Sequence, residues 1–171
     1  MKPVEYLDES TATTVGALAE PIEFAPSEAT VAAARGMTRK HISFAYLGPV
    51  EWDKAGEYKY GLWMHVAAGS NWTPADIRSP GDVTLVLDEE TRALEPMDAP
   101  QLGVTAYHPV ASWGQTAYFE LTVDMLRRMA ASRKLDLDVR GTDGRTMSFV
   151  PESDTRAVLS LFLSARSLTG D

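Results

Sequence analysis

Three histidines are the side chains of this sequence best suited to bind a metal or to act in acid–base chemistry: His41, His65 and His108. Zinc-binding imidazoles come at short helical spacing or together with cysteines, whereas these three are far apart and the chain has no cysteine. His65 lies in an apolar stretch, which favours a hydrogen-bonded core or interface histidine. We therefore predict no metal site and no cofactor. A hydrolase that uses His65 or His108 with an acid stays open as an alternative.

Residues 136–144, DLDVRGTDG, begin with the alternating acids of a calcium-binding loop. Such a loop needs oxygen ligands at its first, third and fifth positions and a bidentate glutamate at its twelfth. Counted from Asp136, the fifth position is Arg140 and the twelfth is Met147. The residues between the acids alternate as in a half-buried strand. We predict a hairpin that turns at TDGRT, with Asp136 and Asp138 on its wet face and no calcium dependence.

Motifs for nucleophilic and phosphate chemistry are absent from the sequence. It has no G-x-S-x-G elbow, no glycine-rich phosphate loop and no dinucleotide fingerprint. The serine in residues 69–71 (GSN) has no identifiable base partner. Paired acids at 8–9, 89–90 and 152/154 fall in turns or at helix starts, where solvation and capping explain them. The sequence therefore indicates no catalytic residue.

Four tryptophans, Trp52, Trp63, Trp72 and Trp113, are the feature most typical of a binding surface. Trp72 and Trp113 lie in loop segments, where an exposed indole can stack on a sugar or anchor a partner. Alternatively, all four pack at the ends of the sheet, because large aromatic side chains are mostly buried. For a binding role we predict Trp72, Trp113, Trp63 and His65 as the ligand-contacting residues.

Composition limits the class of protein and of partner. The chain of 171 residues is 44% hydrophobic and 23% charged, which is typical of one globular domain spanning residues 1–171. Its net charge of −8 argues against nucleic acid as a partner, because phosphate binding needs a basic surface. No apolar run reaches the ~18–20 residues that span a bilayer. The first ten residues lack the apolar stretch of a signal peptide.

Strand patterns dominate the first two thirds of the chain. The segments VEYL and ATTVGALAEPIEFA are rich in strand formers, with Pro21 marking a bend or a sheet edge. Residues 38–52 and 57–69 form a long hairpin that turns at DKAG, and the second strand is apolar on both faces. A second hairpin follows at DVTLVLDEETRALEP, and YFELT is a further strand. Ser27 caps a short helix in SEATVAAAR, or this segment is a loop.

Two helices are predicted in the last third. In TVDMLRRMAAS, Thr122 is the N-cap. In ESDTRAVLSLFLSARS, Ser153 or Asp154 caps the start, and the stripe Val158, Leu161, Phe162 and Ala165 has helical spacing. Leu159 and Leu163 widen this apolar arc. We expect Leu161 and Phe162 to be buried, with this last helix docked on the sheet. The predicted fold is mainly β of the α+β class: an antiparallel sheet or sandwich with two helices, the last at the C-terminus.

Several segments resemble a family of uncharacterised proteobacterial lipoproteins. YLDESTATTVGALAEPIEFA resembles the start of their mature region, and YKYGLWMHV and LTVDMLRRMAASRKLDLDV resemble later parts. The resemblance implies a periplasmic or outer-membrane-associated protein, with a lipid anchor on a longer precursor. It brings no catalytic residues. This sequence lacks the signal segment and the lipid-accepting cysteine, so a cytoplasmic location is the alternative.

From these observations we expect a non-enzymatic cell-envelope protein with a binding or structural role, whose partner is an envelope protein or a small ligand. A small-ligand module for sugar or lipid, using the tryptophans and a groove beside the long hairpin, is the second hypothesis. A cavity lined by Trp63, Trp72 or Trp113 would favour that module, and a histidine–acid pair in a cleft would favour the hydrolase.

Overall fold

The computed structural model describes residues 1–33, 43–67, 69 and 72–166, and within these ranges the chain forms eleven strands and three helices. The strands are β1 (Pro3–Asp8), β2 (Thr13–Leu18), β3 (Ile22–Pro26), β4 (Phe44–Lys54), β5 (Glu57–Ala67), β6 (Val83–Leu87), β7 (Glu90–Ala93), β8 (Pro96–Met97), β9 (Gln115–Glu120), β10 (Leu135–Arg140) and β11 (Thr146–Pro151). The helices are α1 (Glu28–Ala33), α2 (Val123–Ala131) and α3 (Thr155–Ala165).

The strands pair antiparallel in one curled sheet of order β7-β6-β10-β11-β3-β4-β5-β9-β8. The long hairpin of β4 and β5 is its centre and turns at Ala55 and Gly56, both with positive φ. A two-residue turn with positive φ at both positions matches the right-handed twist of the paired strands. The mainly β, α+β fold predicted from the sequence is confirmed, as one curled sheet with a third short helix.

One edge of β4 pairs with two successive strands. Its second half pairs with β2 and its first half with β3, while β1 pairs with the far side of β2. The register slips between Ala17, which faces Val50, and Ile22, which faces Leu47. The extra residues of β2–β3 form the bend predicted at Pro21, which interrupts the ladder there.

The two faces of the central hairpin carry different side chains, because successive residues of a strand point to opposite sides. One face carries Trp52 on β4 and Trp63 and His65 on β5; we call it the loop face. The opposite face carries Glu51 on β4 and Leu62 and Met64 on β5; we call it the helix face. All these residues are buried, which confirms that β5 is packed on both sides.

On the helix face, strand pairing aligns four residues in a row across β1, β2, β4 and β5. Glu5 faces Gly16, Gly16 faces Glu51, and Glu51 faces Tyr60. Arg166, at the end of α3, lies over Gly16, where a Cβ would overlap its guanidinium. The guanidinium pairs with Glu5, lies 3.7 Å from Glu51 and donates to the Val4 carbonyl at 2.9 Å. This contact fixes α3 against β1, β2 and β4.

The helices begin where capping predicts. The Thr122 side chain accepts from the Met125 N–H, and of the two candidates for α3 it is Asp154 that accepts from the Arg156 and Ala157 N–H groups. The segment left open between helix and loop is α1, and the Ser27 hydroxyl accepts from the Thr30 N–H.

The stripe predicted for α3 is wrong in part. Phe162 is fully buried as expected, whereas Leu161 is 46% exposed and Ala165 is also exposed. The buried side is Thr155, Val158, Leu159, Phe162 and Leu163. At about 100° per residue, Leu161 lies roughly 130° from the centre of that side. The helix has more apolar positions than one face can bury, so spacing alone selected the wrong set.

Residues 136–144 form a hairpin, as predicted. β10 pairs with β11, and the chain turns through Thr142, Asp143 and Gly144. Asp138 accepts from the Ser148 hydroxyl at 2.6 Å, and Asp136 pairs with Lys134 at 3.1 Å. The two acids are therefore half-buried and paired, where the sequence predicted a wet face.

Candidate binding site at the 98–114 loop

The longest described connection without secondary structure joins β8 to β9, and we call it the 98–114 loop. Loops of more than about 12–15 residues without helix or strand are uncommon in compact domains and usually serve function. Residues 99–119 contain no Asp, Glu, Lys or Arg, although the chain carries a net charge of −8. The loop covers the loop face of β4 and β5, and three contacts hold it there.

Asp8, at the end of β1, holds the first part of the loop. Its carboxylate accepts from the Gly103 N–H at 2.9 Å and from the Ser10 hydroxyl and N–H at 2.6 and 3.0 Å. These bonds, the Ser10 hydroxyl first and the Gly103 amide next, lower the pKa of Asp8 from 3.8 to about 2. The ionised carboxylate is therefore the form that binds the loop.

Tyr107 holds the middle of the loop at the bend between β2 and β3. Its hydroxyl accepts from the Leu18 N–H at 3.0 Å and donates to the Pro49 carbonyl at 2.9 Å. The ring lies on Gly48, where a Cβ would overlap it. Burial raises the pKa of Tyr107 above its ordinary range. The Tyr107 hydroxyl thus hydrogen-bonds two backbone groups that have no partner in the interrupted β-ladder.

His65 holds the end of the loop. Its Nε2 accepts from the Ala111 N–H at 3.3 Å, so this nitrogen is unprotonated, and its Nδ1 donates to the Thr116 hydroxyl at 3.0 Å. Gly114 passes so close to the imidazole that a Cβ there would overlap it. His65 is fully buried, and this burial lowers its pKa. Its ring is a neutral acceptor that positions the loop.

Trp63 fills the space between these contacts. Its ring stacks on His65 with centroids 6.0 Å apart and an interplanar angle of 18°, and it lies 5.2 Å from the Tyr107 ring. Tyr46 approaches His65 from β4 at 6.3 Å. The buried aromatic layer gives the loop a rigid base.

Trp113 stands at the tip of the loop and is 74% exposed. Residues 111–114 form a turn in which the Gly114 N–H donates to the Ala111 carbonyl at 3.1 Å. Val110, directly before this turn, is 62% exposed. Both ends of this turn lie against His65, so the loop presents its indole to solvent from a fixed base.

The predicted site residues separate into two groups. The structure brings Trp63, His65 and Trp113 together, the first two beneath the loop and the third on it. Trp72 lies elsewhere: it is buried, its ring is 6.2 Å from that of Phe149, and Gly141 passes close to its indole nitrogen.

The histidines of the hydrolase alternative are not paired with acids in the parts of the chain that the structure describes. His65 bonds Ala111 and Thr116, and the His108 ring lies 3.5 Å from the Thr105 hydroxyl. His41 lies outside the described residues. Within the described ranges no three His, Cys, Asp or Glu side chains are grouped to hold a metal ion.

Two of the three residues that anchor the loop, Asp8 and Tyr107, were not predicted. Asp8 looked like a solvated turn acid, and Tyr107 stood in a segment without periodicity. The signal that could have found Tyr107 is the long uncharged segment 99–119, with its two prolines and two glycines. No such signal marks Asp8.

Comparisons of this chain with protein-family models, with curated proteins and with solved structures give no match. None of the helices in residues 1–33, 43–67 and 72–166 has the length and apolar character needed to cross a membrane. The site is therefore interpreted from its own geometry.

Proposed function

We propose that the protein is a non-enzymatic binding protein that contacts a partner protein through the tip of the 98–114 loop. Trp113 is its anchor. The observation that carries this proposal is a tryptophan left 74% exposed on a loop that is otherwise fixed at Asp8, Tyr107 and His65. The cell-envelope location, as a periplasmic or outer-membrane-associated lipoprotein, rests on the resemblance described above and is proposed with it.

The three anchors support a binding role because they reduce the cost of ordering the loop. Association loses affinity when a flexible segment must be fixed, and a segment held in advance avoids that loss. Trp113 gains from this arrangement, since the turn beneath it already packs on buried His65. Tryptophan is also enriched among the few residues that dominate interface energies.

The charge pattern supports a protein partner with an apolar pocket. Interface cores are depleted in charged residues and enriched in aromatic ones, and residues 99–119 show both features in an acidic chain. Trp113 and Val110 form a small projecting contact, which suits insertion into a concave partner surface. The acidic remainder of the surface favours solubility and a polar rim.

The hydrolase alternative finds less support. Both nitrogens of His65 are already engaged, and its burial favours the neutral ring. A general base must reach a proton on substrate, directly or through water. His65 is fully buried beneath Ala111 and Gly114, so it has no such access in this arrangement.

The test compares three proteins: the parent, Trp113→Ala, and Tyr58→Ala as the matched control. Tyr58 is 57% exposed on the β4–β5 hairpin, so its removal takes away a similar aromatic surface elsewhere. Each protein is coupled to beads and exposed to an envelope extract of the source cells. We expect a partner that the parent and Tyr58→Ala retain and Trp113→Ala loses, and that binds the parent directly once purified.

Three further measurements separate the other outcomes. Sedimentation of the parent tests whether the indole docks on a second copy of this chain, and flotation with lipid vesicles tests a membrane surface. Esterase, glycosidase and phosphatase substrates are screened with the parent, His65→Ala and His108→Ala. Turnover that disappears in either histidine variant would refute the non-enzymatic proposal. Self-association or flotation that the parent shows and Trp113→Ala loses would mean that the loop tip contacts a second copy of the chain or a membrane, and not a partner protein.

A further inference from the structure

A groove of about 340 Å³ opens beside the first residues of the 98–114 loop, at the turn end of the β4–β5 hairpin. It lies on the loop face, between Thr11 and Thr13 on one side and residues 97–102 on the other. Its volume is within the ~300–1,000 Å³ of small-molecule sites.

The floor of the groove is apolar and fixed. Trp52 lies over Gly61, where a Cβ would overlap the indole, and its ring is 5.7 Å from that of Tyr118. Met97 and Leu102 line the groove beside it. Trp52 is 5% exposed, so only a small part of its ring is open to the groove. This floor suits a small ring with an apolar side.

The rim of the groove is rich in hydrogen-bonding groups of both charges. Lys54 and Lys59 supply donors, Glu57 and Asp98 supply acceptors, and the Gln101 amide supplies both. The four charged groups form no ion pair with any described residue. The formal charges of these four groups sum to zero, so the lining carries no net charge of either sign.

We propose that this groove binds a neutral polyhydroxylated ring, a monosaccharide or disaccharide. Such a molecule has an apolar side of C–H groups for Trp52 and Met97 and many hydroxyls for the rim. The hydroxyls both donate and accept, which matches a rim where ammonium, carboxylate and amide groups alternate. The balanced charge favours neither an anion such as a phosphate or a carboxylate nor a cation such as an amine.

This groove and the Trp113 tip are separate features of the loop. Trp52 lies on β4 beside the first residues of the loop, whereas Trp113 lies at its tip, and the groove-lining residues include neither Val110 nor Trp113. The saccharide site therefore does not depend on the proposed protein contact, and either proposal can fail alone.

The experiment follows the indole N–H signals of the four tryptophans by ¹H–¹⁵N correlation spectra, each assigned from a Trp→Phe variant. The parent is titrated with glucose, galactose, mannose, N-acetylglucosamine and cellobiose, and with acetate and ethanolamine as charged probes. We expect at least one saccharide to shift the Trp52 signal in a saturable way, while both charged probes leave it unchanged.

Variants of the exposed rim then locate the ligand. Gln101→Ala and Lys59→Met should each weaken saccharide binding by about tenfold, because each removes one hydrogen-bonding group from the ligand. Tyr58→Ala, beside Lys59 on the opposite face, should bind as the parent does. Absence of any saccharide shift at Trp52, binding with the parent's affinity in both rim variants, or a shift by acetate or ethanolamine instead would overturn the proposal. A shift confined to Trp113 would move the ligand to the loop tip and overturn the groove site as well.

Discussion

The two faces of the β4–β5 hairpin are covered in different ways. The helix face is closed by α3, whose buried side contributes Phe162, Leu159 and Leu163 to the core and whose end places Arg166 over Gly16. The loop face is closed by the irregular 98–114 loop, which is held by hydrogen bonds from Asp8, Tyr107 and His65. Both faces bury apolar area, but the cover of the helix face is a regular helix, whereas the cover of the loop face is an irregular segment fixed by three hydrogen-bonding side chains.

This difference explains where the exposed aromatic residue lies. A helix that buries one side satisfies its own backbone, so nothing on its face needs to project. A loop without regular structure must find partners for its backbone groups, and the three anchors supply them at fixed points. Between anchors the chain is free to present a side chain such as Trp113. The contact proposed for Trp113 therefore lies on the loop face.

The largest effect is expected on the helix face, from Phe162→Ala. Phe162 is fully buried in the core, so the free energy of unfolding should fall by about 3–5 kcal/mol. Urea denaturation measures it, with Leu161→Ala as the matched control. Leu161 is 46% exposed, so its removal should change stability by no more than about 0.5 kcal/mol. Equal losses in both variants would contradict the orientation of α3.

Arg166→Met should rank next, with a loss of about 3 kcal/mol. It leaves Glu51, 5% exposed, without its nearby cation, and burial already raises the pKa of this carboxyl. Adding Glu51→Gln should restore part of the loss. Arg78→Met removes an exposed pair with Asp76 and should cost about 0.5 kcal/mol or less. If Arg166→Met and Arg78→Met lose the same free energy of unfolding, the contacts of Arg166 with Glu5 and Glu51 do not fix α3.

On the loop face, Tyr107→Phe should cost about 1–3 kcal/mol, because it leaves the Leu18 N–H and the Pro49 carbonyl without a partner. The ring stays, so packing on Gly48 is kept. Tyr58→Phe, on an exposed residue, is the control and should be neutral. Faster hydrogen exchange at the Leu18 amide is expected in the first variant alone. Unchanged exchange there would show that the hydroxyl does not hold the loop.

Asp8→Asn tests the first anchor through pH. The pKa of Asp8 is lowered from 3.8 to about 2, so its stabilisation is complete above 3.8 and is lost as pH falls through about 2. The difference in stability between parent and Asp8→Asn should therefore shrink as pH falls across this window. At pH values above the window, the Gly103 amide should exchange more slowly in the parent than in Asp8→Asn. A difference that is constant with pH would contradict an ionised anchor.

The elements of the helix face could be predicted from the sequence because their signals are local. Thr122 and Asp154 cap helices through their own neighbours, and β5 shows its two apolar faces residue by residue. The buried side of α3 could not be predicted, because Leu159 and Leu161 are the same residue type and only the packing on the sheet decides which of them is buried. The two-residue strand β8 carries no periodicity at all.

The loop face was predicted only in fragments. His65 and Trp63 were recognised as notable residues of an apolar strand, and Trp113 as a loop tryptophan. Their meeting depends on contacts across long sequence separations: Gly103 with Asp8, Tyr107 with Leu18, and Ala111 with His65. Hydrogen bonds between distant residues leave no pattern in a single sequence. Trp72 illustrates the limit, since a similar loop context gave a buried indole.

The most direct test of the account is the affinity of the purified partner for the parent and for Trp113→Ala, measured by calorimetry with Tyr58→Ala beside them. A fixed loop with an exposed indole anchor predicts that Trp113→Ala weakens binding by about 30-fold or more, as for an interface hot spot, while its melting temperature stays that of the parent. Tyr58→Ala should bind as the parent does. A Trp113→Ala protein that binds with the parent's affinity would contradict the central claim that the 98–114 loop is the contact element.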